Sequence, residues 1–307
     1  MLLKNHSAPV RRGALAKVAT MIRYAYSKFA AAAAALLPLV APVRADSGWG
    51  LLNMTPGVTD ISRKIYGLHM EVFWICVAIG VVVFGWMIWS LVAFRKSKGA
   101  VADTTLVHNT KVEIVWTIIP VIILIAMAVP AARTLVDIED TRNTELTIKV
   151  TGFQWGWNYD YLDDGVNYFS RLDRASDAAR QLLSGIDPTT VPNYLLAVDH
   201  PLVVPAGVKV RLLITGADVI HSWWVPAFGL KKDAIPGFVN ELWFRVDPDK
   251  TGLYRGQCVE LCGRDHGFMP IVVDVRSKED FSTWLKTSAA EEKQAAAATV
   301  PAAAPAG

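Results

Sequence analysis

Four side chains that bind soft metals lie in one short segment near the C-terminal end of the chain. They are two thiols, an imidazole and a thioether: Cys258, Cys262, His266 and Met269. Gly263, Gly267 and Pro270 favour a tight loop over a continuous helix, and such a loop folds its side chains onto one point. Thiolate and thioether ligands with imidazole suit copper, and a Cys–His site with a weak Met ligand is typical of copper electron transfer. The segment therefore predicts a copper site.

A second histidine is available for such a site. The chain has six His, and only His200, His221 and His266 follow residue 133. His221 comes just after an alternating apolar strand, so one His precedes the loop, as in the ligand order of a cupredoxin-type site. The second thiolate is one more than a mononuclear blue-copper site uses. Two Cys, two His and one Met can serve two metals if the sulfurs bridge them.

Two simpler interpretations of the same residues remain open. Cys258 and Cys262 could form an ordinary disulfide in an oxidising compartment. Zinc is the stronger rival, because two Cys and two His make a closed tetrahedral site. Zinc leaves Met269 without a role.

The combined motifs resemble a known family. Cys-x-Glu-x-Cys-x-x-x-His-x-x-Met-Pro is preceded by His-Ser-Trp-x-Val-Pro and Gly-Leu-Lys-x-Asp-Ala-Ile-Pro-Gly, and this set is similar to subunit II of cytochrome c oxidase. The resemblance implies the dinuclear copper centre called CuA, with both sulfurs bridging and one His on each copper. It implies that Met269 completes one copper and that the backbone carbonyl of Glu260 completes the other. The carboxylate of Glu260 would then reach a magnesium ion shared with subunit I.

The resemblance also implies roles for residues outside the metal loop. Trp155, in Gly-Phe-Gln-Trp-Gly-Trp-Asn-Tyr-Asp-Tyr, would receive electrons from cytochrome c. Asp160, Asp199 and Asp218 would help dock the basic face of that donor, and Glu113 would lie at the mouth of a proton pathway into subunit I. Taken alone, the Trp is a core residue, the Asp residues are surface acids and the Glu is a favourable helix-start carboxylate.

Charge and hydropathy are distributed unevenly. The whole chain is 52% hydrophobic with a formal net charge of +3, and a mean hydropathy of +0.30 points to membrane segments. Residues 134–286 carry 16 Lys and Arg against 21 Asp and Glu, an excess of about −5 that favours steering of a basic partner.

Two apolar stretches predict a transmembrane hairpin. Residues 72–94 and 114–132 are each long enough to span a bilayer. The loop between them, 95–113, holds Arg95, Lys96, Lys98 and Lys111, so the positive-inside rule places it in the cytoplasm. Pro120 predicts a kink in the second span, and Cys76 in the first is interpreted as a small packing residue.

The N-terminal residues resemble a targeting segment. Residues 1–45 combine a basic region, a short apolar region and a small-x-small cleavage site before Asp46. We expect a cleaved signal peptide followed by an extramembrane segment at 46–71. An uncleaved anchor is the alternative, and Met21 is an alternative start.

After residue 134 the pattern changes to period two, which predicts an all-β, cupredoxin-like Greek-key domain over 134–286. Alternating stretches predict strands at 146–150, 153–161, 208–214, 242–246 and 271–275. We interpret 163–200 as an insertion that shorter family members lack, with a short helix at 173–183. Ser277 and Asp280 predict a capped helix that ends at Lys286, and the Ala- and Pro-rich residues 287–307 predict a disordered tail.

Together these features predict subunit II of a bacterial cytochrome c oxidase. It would sit in the plasma membrane with its copper domain on the periplasmic side, pass electrons from cytochrome c to haem held only in subunit I, and serve oxygen reduction coupled to proton pumping. Subunit I, subunit III, cytochrome c and membrane lipid are the expected partners, and no nucleic acid is expected. A quinol-accepting relative would lack the copper ligands, and a nitrous oxide reductase would need a propeller for which there is no room. The rival of a different class is a membrane-tethered copper or zinc module without a redox role.

Overall fold

The computed structural model describes residues 53–101, 104–105 and 107–299, with side chains through 292. The predicted signal peptide, the alternative start at Met21 and residues 300–307 lie outside the described residues. The described chain begins with two long helices, α1 (Asp60–Ala93) and α2 (Thr110–Glu139). A single turn of 3-10 helix, Lys96–Lys98, lies between them.

Both helices are longer than the predicted spans. With 34 and 30 residues they reach about 50 and 45 Å, whereas the apolar part of a bilayer is about 30 Å thick. Residues 60–71, predicted to precede the membrane segment, are helical because Thr59 and Ser62 form a capping box at the start of α1. Helix α2 begins at an Asn109 cap and runs through Pro120 and Pro130 without a break.

The outer ends of both helices are fastened to the domain that follows. The buried Thr59 hydroxyl donates a hydrogen bond of 2.8 Å to the Phe228 carbonyl, and Thr59 forms an antiparallel bridge with Val246. At the C-terminal end of α2, the Lys209 ammonium donates to the carbonyls of Asp140 and Arg142, each at 2.7 Å. These contacts join the helical hairpin to the β domain as one unit.

The β domain is a sandwich, as predicted, and it is built from two five-stranded sheets; five of the ten described strands, at 166–170, 202–205, 221–225, 230–234 and 252–258, were not predicted. The first sheet has the order β3-β2-β1-β5-β8 and the second β4-β10-β9-β6-β7, with parallel pairing only between β1 and β5 and between β4 and β10 among the described strands. The strands are β1 Leu146–Phe153, β2 Gly156–Tyr161, β3 Val166–Ser170, β4 Leu202–Pro205, β5 Val210–Gly216, β6 His221–Val225, β7 Leu230–Ala234, β8 Asn240–Phe244, β9 Gly252–Cys258 and β10 Pro270–Arg276.

The aromatic stretch predicted as one strand is broken by a turn. Strands β1 and β2 form a hairpin in which Phe153 pairs with Gly156, so Gln154 and Trp155 form the turn. Beyond it, three inward-facing side chains are fully buried between the sheets: Trp157, Tyr159 and Tyr161. The alternation identified the core face of β2, but Trp155 leaves that face because the chain reverses there.

The predicted insertion begins as part of the sheet. Strand β3 pairs with β2, and a helix α3 (Arg174–Ala179) follows, shorter than the predicted 173–183. A bridge between Leu172 and Val198 closes the rest of the segment at its base. A 3-10 turn, Pro188–Thr190, lies in between.

The C-terminal helix is longer than predicted. It begins after Ser277, whose hydroxyl accepts a hydrogen bond from the Asp280 amide, and α4 (Lys278–Thr299) continues past Lys286. Residues 287–299 are therefore helical, where a disordered tail was predicted, because this part is rich in alanine and the helix is already nucleated by packing of Trp284 against Tyr161.

Candidate metal centre

The metal-binding side chains meet at one end of the sandwich. His221 is the first residue of β6, Cys258 is the last of β9, and Met269 directly precedes β10. Strands β6 and β9 are neighbours, with Trp223 opposite Cys258, so the sheet itself brings the distant His221 beside the loop at 259–269. The Cys258 amide donates to the Met269 carbonyl at 3.0 Å and closes this loop at its base.

The donor atoms converge as the sequence predicted. The Cys262 sulfur lies 3.9 Å from the Cys258 sulfur, 3.5 Å from Nδ1 of His266 and 4.0 Å from the Met269 sulfur. One ring nitrogen of His221 and the two sulfurs lie within 4.8 Å of one another, and all three residues are buried.

The two thiols are not joined to each other. A disulfide requires an S–S distance of about 2.05 Å, and both cysteines are free at 3.9 Å. Nδ1 of His221 is buried without a hydrogen-bond partner. A buried nitrogen without a partner calls for an explanation, and a metal ion at the thiols supplies one. The residues present therefore fit a soft metal.

The backbone carbonyl and the side-chain carboxylate of Glu260 have different surroundings. Its backbone carbonyl lies 3.4 Å from the Cys258 sulfur, on the side of the metal-binding atoms. The residue itself is exposed, so its carboxylate is accessible from the surface.

Asp218 holds the imidazole of His221 from outside. Its carboxylate lies 2.9 Å from Nε2 of His221 and accepts hydrogen bonds from the amides of Gln154 at 2.8 Å and Val219 at 2.6 Å. A carboxylate can only accept, so Nε2 carries the proton and Nδ1 keeps its lone pair for a metal. Burial raises the pKa of Asp218, but the hydrogen bonds from His221 and the two amides lower it more.

A glycine allows His221 to fit. A Cβ atom added at Gly152 would come within 2.9 to 3.0 Å of the His221 ring, closer than real side chains approach. Neither this glycine nor Asp218 as a partner of His221 was identified in the sequence. Both lie far from the metal loop in the chain, and the only signal was their place in the motifs around Trp155 and His221.

The two thiols differ in acidity. Burial raises the pKa of Cys258, but the neighbouring His221 imidazole and nearby backbone groups lower it more and bring the pKa to about 7. Burial and the neighbouring Cys258 thiolate raise the pKa of Cys262 to about 12. Between these two pKa values the pair therefore holds one proton until a metal displaces it.

Trp155 touches the metal loop directly. Its indole N–H donates to the backbone carbonyl of Cys262 at 3.2 Å, and the Gln154 side chain donates to the same carbonyl at 2.8 Å. The indole is half-buried, and the guanidinium carbon of Arg264 lies 5.3 Å from its ring centroid. Trp155 therefore connects the surface to a metal-binding residue.

The remaining predicted residues lie apart from the metal loop. Asp160 is half-buried on β2, and Asp199 accepts hydrogen bonds from the amides of Arg171 and His200 at 2.8 Å each. Glu113, in the first turn of α2, lies 2.7 Å from Nδ1 of His108, a contact that the sequence analysis missed.

Comparison with known proteins covers both parts of the molecule. Residues 146–276 match the cytochrome c oxidase subunit II periplasmic domain, and residues 47–133 match the transmembrane domain of the same subunit. A probable cytochrome c oxidase subunit 2 of Rickettsia bellii is 40% identical over 234 residues, covering 76% of this chain and 82% of the relative. The chain belongs to the cytochrome c oxidase subunit II family.

Further similar proteins carry the same name. Cytochrome c oxidase subunit 2 of Cereibacter sphaeroides is 34% identical over 245 residues, covering 77% of this chain and 80% of that protein. The crystal structure of the periplasmic domain of subunit II of cytochrome oxidase of Bradyrhizobium japonicum is 41% identical and covers 49% of this chain and 98% of its own, with a TM-score of 0.42.

Membership in the subunit II family confirms the predicted architecture. Two apolar helices precede a cupredoxin-like β-sandwich, and the chain is a membrane protein with a periplasmic domain. The family implies CuA copper, and the cluster of His221, Cys258 and Cys262 is consistent with it.

The unequal acidity of the thiols predicts a two-step titration. In the metal-free chain with Cys76→Ser, ultraviolet thiolate absorbance should rise once with a midpoint near pH 7 and again only near pH 12. Because the neighbouring His221 imidazole lowers the first pKa, His221→Gln should move that midpoint upward. Both thiols titrating together near the ordinary value of about 8.5 would contradict this account.

Replacement of Asp218 should weaken metal binding, although Asp218 lies at the surface. Asp218→Ala removes the acceptor that fixes His221, and loss of such a partner typically weakens metal binding by about 10–100-fold. Copper release to a chelator, followed by absorbance, measures the change. Asp160→Ala is the matched control, because Asp160 lies on β2 outside the metal loop. Equal release from both variants would show that Asp218 does not position His221.

Proposed function

We propose that this chain is the electron-accepting subunit of a proton-pumping cytochrome c oxidase in a bacterial plasma membrane. It takes electrons from cytochrome c and delivers them to haem in subunit I, where oxygen is reduced. The observation that carries the proposal is the unjoined pair of buried thiols, 3.9 Å apart, with imidazole and thioether groups on either side.

The copper pair, when bound, supplies a site that gains and loses one electron. Cys258, Cys262, His221 and His266 would hold the two ions, together with Met269 and the backbone carbonyl of Glu260. This set supports copper over zinc, because a closed zinc site with two Cys and two His leaves the buried Met269 sulfur unused.

The protein around the two thiols restricts movement of the candidate ligands. Cys258, Cys262, Met269 and His221 are buried, and the carbonyl of Cys262 is fixed by two side-chain hydrogen bonds. Groups held in this way move little when the charge of the site changes, which suits a relay. Every candidate ligand is a protein group, so oxygen chemistry belongs to subunit I.

Trp155 is the proposed contact for cytochrome c. Its half-buried ring reaches the surface, and its N–H bonds the carbonyl of Cys262. Asp160, Asp199 and Asp218 are proposed to guide the basic donor, helped by the acidic balance of the domain. The carboxylates of Asp199 and Asp218 already accept internal hydrogen bonds, so their contribution is their charge and not new hydrogen bonds.

The membrane part is proposed to cross the bilayer twice after removal of a signal peptide, and to pack against subunit I, subunit III and lipid. The exposed apolar surfaces of α1 and α2 support this arrangement. Glu113, paired with His108, is proposed to lie at the cytoplasmic mouth of a proton pathway in subunit I. The exposed carboxylate of Glu260 is free for a magnesium ion at the subunit boundary, since hard oxygen ligands suit that ion.

Metal analysis of the full-length chain in detergent tests the proposal. After loading with copper, we expect two ions per chain and an electron paramagnetic resonance spectrum in which one unpaired electron is shared by two nuclei. Cys258→Ser should abolish that spectrum, while Cys76→Ser should leave it unchanged. One copper with a single-nucleus pattern, or preferential zinc binding, would instead favour a metal module without a redox role.

Replacement of Trp155 tests the proposed contact with cytochrome c. Trp155→Phe removes the hydrogen bond to Cys262 and should sharply lower the rate of electron transfer from reduced cytochrome c, measured by rapid mixing. The copper spectrum should be retained, because the indole is not a ligand. Trp284→Phe, on the C-terminal helix, is the control. An unchanged rate in Trp155→Phe would remove this residue from the path.

A further inference from the structure

The segment between β3 and β4 reaches the metal loop. Sequence analysis found no purpose for this segment. One residue, Arg180 at the end of α3, touches two residues of the loop that carries His266 and Met269.

The Arg180 guanidinium makes three contacts at once. Its Nε lies 2.7 Å from the carboxylate of Asp177, one turn earlier in α3. Its Nη2 lies 3.5 Å from the carboxylate of Asp265, and its central carbon lies 4.4 Å from the ring centroid of Phe268. The side chain is 21% exposed and that of Asp265 is 13% exposed, so these groups meet in a largely dry place.

Both partners in the loop are immediate neighbours of proposed ligands. Asp265 precedes His266, and Phe268 precedes Met269. The loop has little regular structure of its own: one 3-10 turn, with the Phe268 amide donating to Asp265 at 2.9 Å and the His266 amide donating to Gly263 at 3.2 Å. Its conformation therefore depends on contacts from outside.

The segment that carries Arg180 is fixed independently of the loop. Asp173 caps α3, and the Ser176 hydroxyl accepts a hydrogen bond from the Leu195 amide at 3.1 Å. The Arg255 side chain, on β9, donates to the Leu196 carbonyl. The segment is thus attached to the strand that ends at Cys258, and Arg180 connects this support to the far side of the loop.

We infer that Arg180 is a positioning residue that holds the loop at 263–269 in the conformation that brings His266 and Met269 to the thiols. It touches no proposed ligand atom and acts through Asp265 and Phe268. The inference rests on the proposed function for its meaning, because the effect on copper matters only if the chain binds a copper pair. The effect on the loop itself does not need the metal.

Hydrogen exchange of the metal-free, full-length chain tests the inference. Arg180→Met removes the ion pair and the cation–π contact, so amides of residues 263–269 should exchange about tenfold faster, as expected for the loss of one such contact pair. Arg180→Lys keeps the charge but loses the flat guanidinium over Phe268, so its effect should be smaller. Arg174→Met, exposed on the first turn of α3, is the matched control and should leave the loop unchanged.

Copper supplies the second measurement. In the loaded chain, Arg180→Met should shift the reduction potential and the copper hyperfine pattern, while Arg174→Met matches the wild type. Loop exchange in Arg180→Met that equals that of the wild type would overturn the inference, and so would a faster loop with an unchanged copper spectrum. If the wild type fails to form a copper pair, the proposed function fails, while the exchange of the metal-free loop still decides whether Arg180 holds it.

Discussion

The structure depends on keeping two buried thiols close without joining them. Sulfur atoms 3.9 Å apart are too far for a disulfide and near enough to share metal ions. A short loop cannot hold that separation by itself, since few of its hydrogen bonds are internal. The backbone ladder between β6 and β9 fixes one thiol, and the closure from Cys258 to Met269 fixes the base of the loop.

Around this pair, His221 and Cys262 are held by neighbours that are not themselves candidate ligands. Asp218 sets the tautomer of His221, and Gly152 leaves room for its ring. Gln154 and Trp155 share the Cys262 carbonyl. The turn at Gln154 and Trp155 thereby combines two tasks: it fixes the loop and it brings an aromatic ring from the loop to the surface. A substitution at this turn therefore changes both the support of the loop and the aromatic ring at the surface.

The candidate metal ligands could be named from the sequence because four of them lie in one segment and His221 follows a recognisable strand. Gly152 and Arg180 were missed because they are distant in the chain from the residues they support. Asp218 lies three residues before His221 but was interpreted only as a docking acid. Alternation predicted the β-sandwich and five of the ten described strands, but not the remaining strands. It also missed the turn inside the aromatic stretch, because Trp155 keeps the period of the strand while the chain reverses. The C-terminal helix is longer than predicted. The low content of bulky apolar residues after Lys286 was interpreted as disorder, although alanine favours helix.

The link between the helices and the sandwich explains why the site can face a partner in the membrane. Thr59 and Lys209 attach the outer ends of α1 and α2 to loops of the β domain through buried or half-buried hydrogen bonds. Both helices are longer than a bilayer crossing requires. Their outer turns therefore lie beside the β domain and are held to it by these hydrogen bonds. A partner that packed against the helices would therefore also set the position of the end of the sandwich where His221, Cys258 and Cys262 meet.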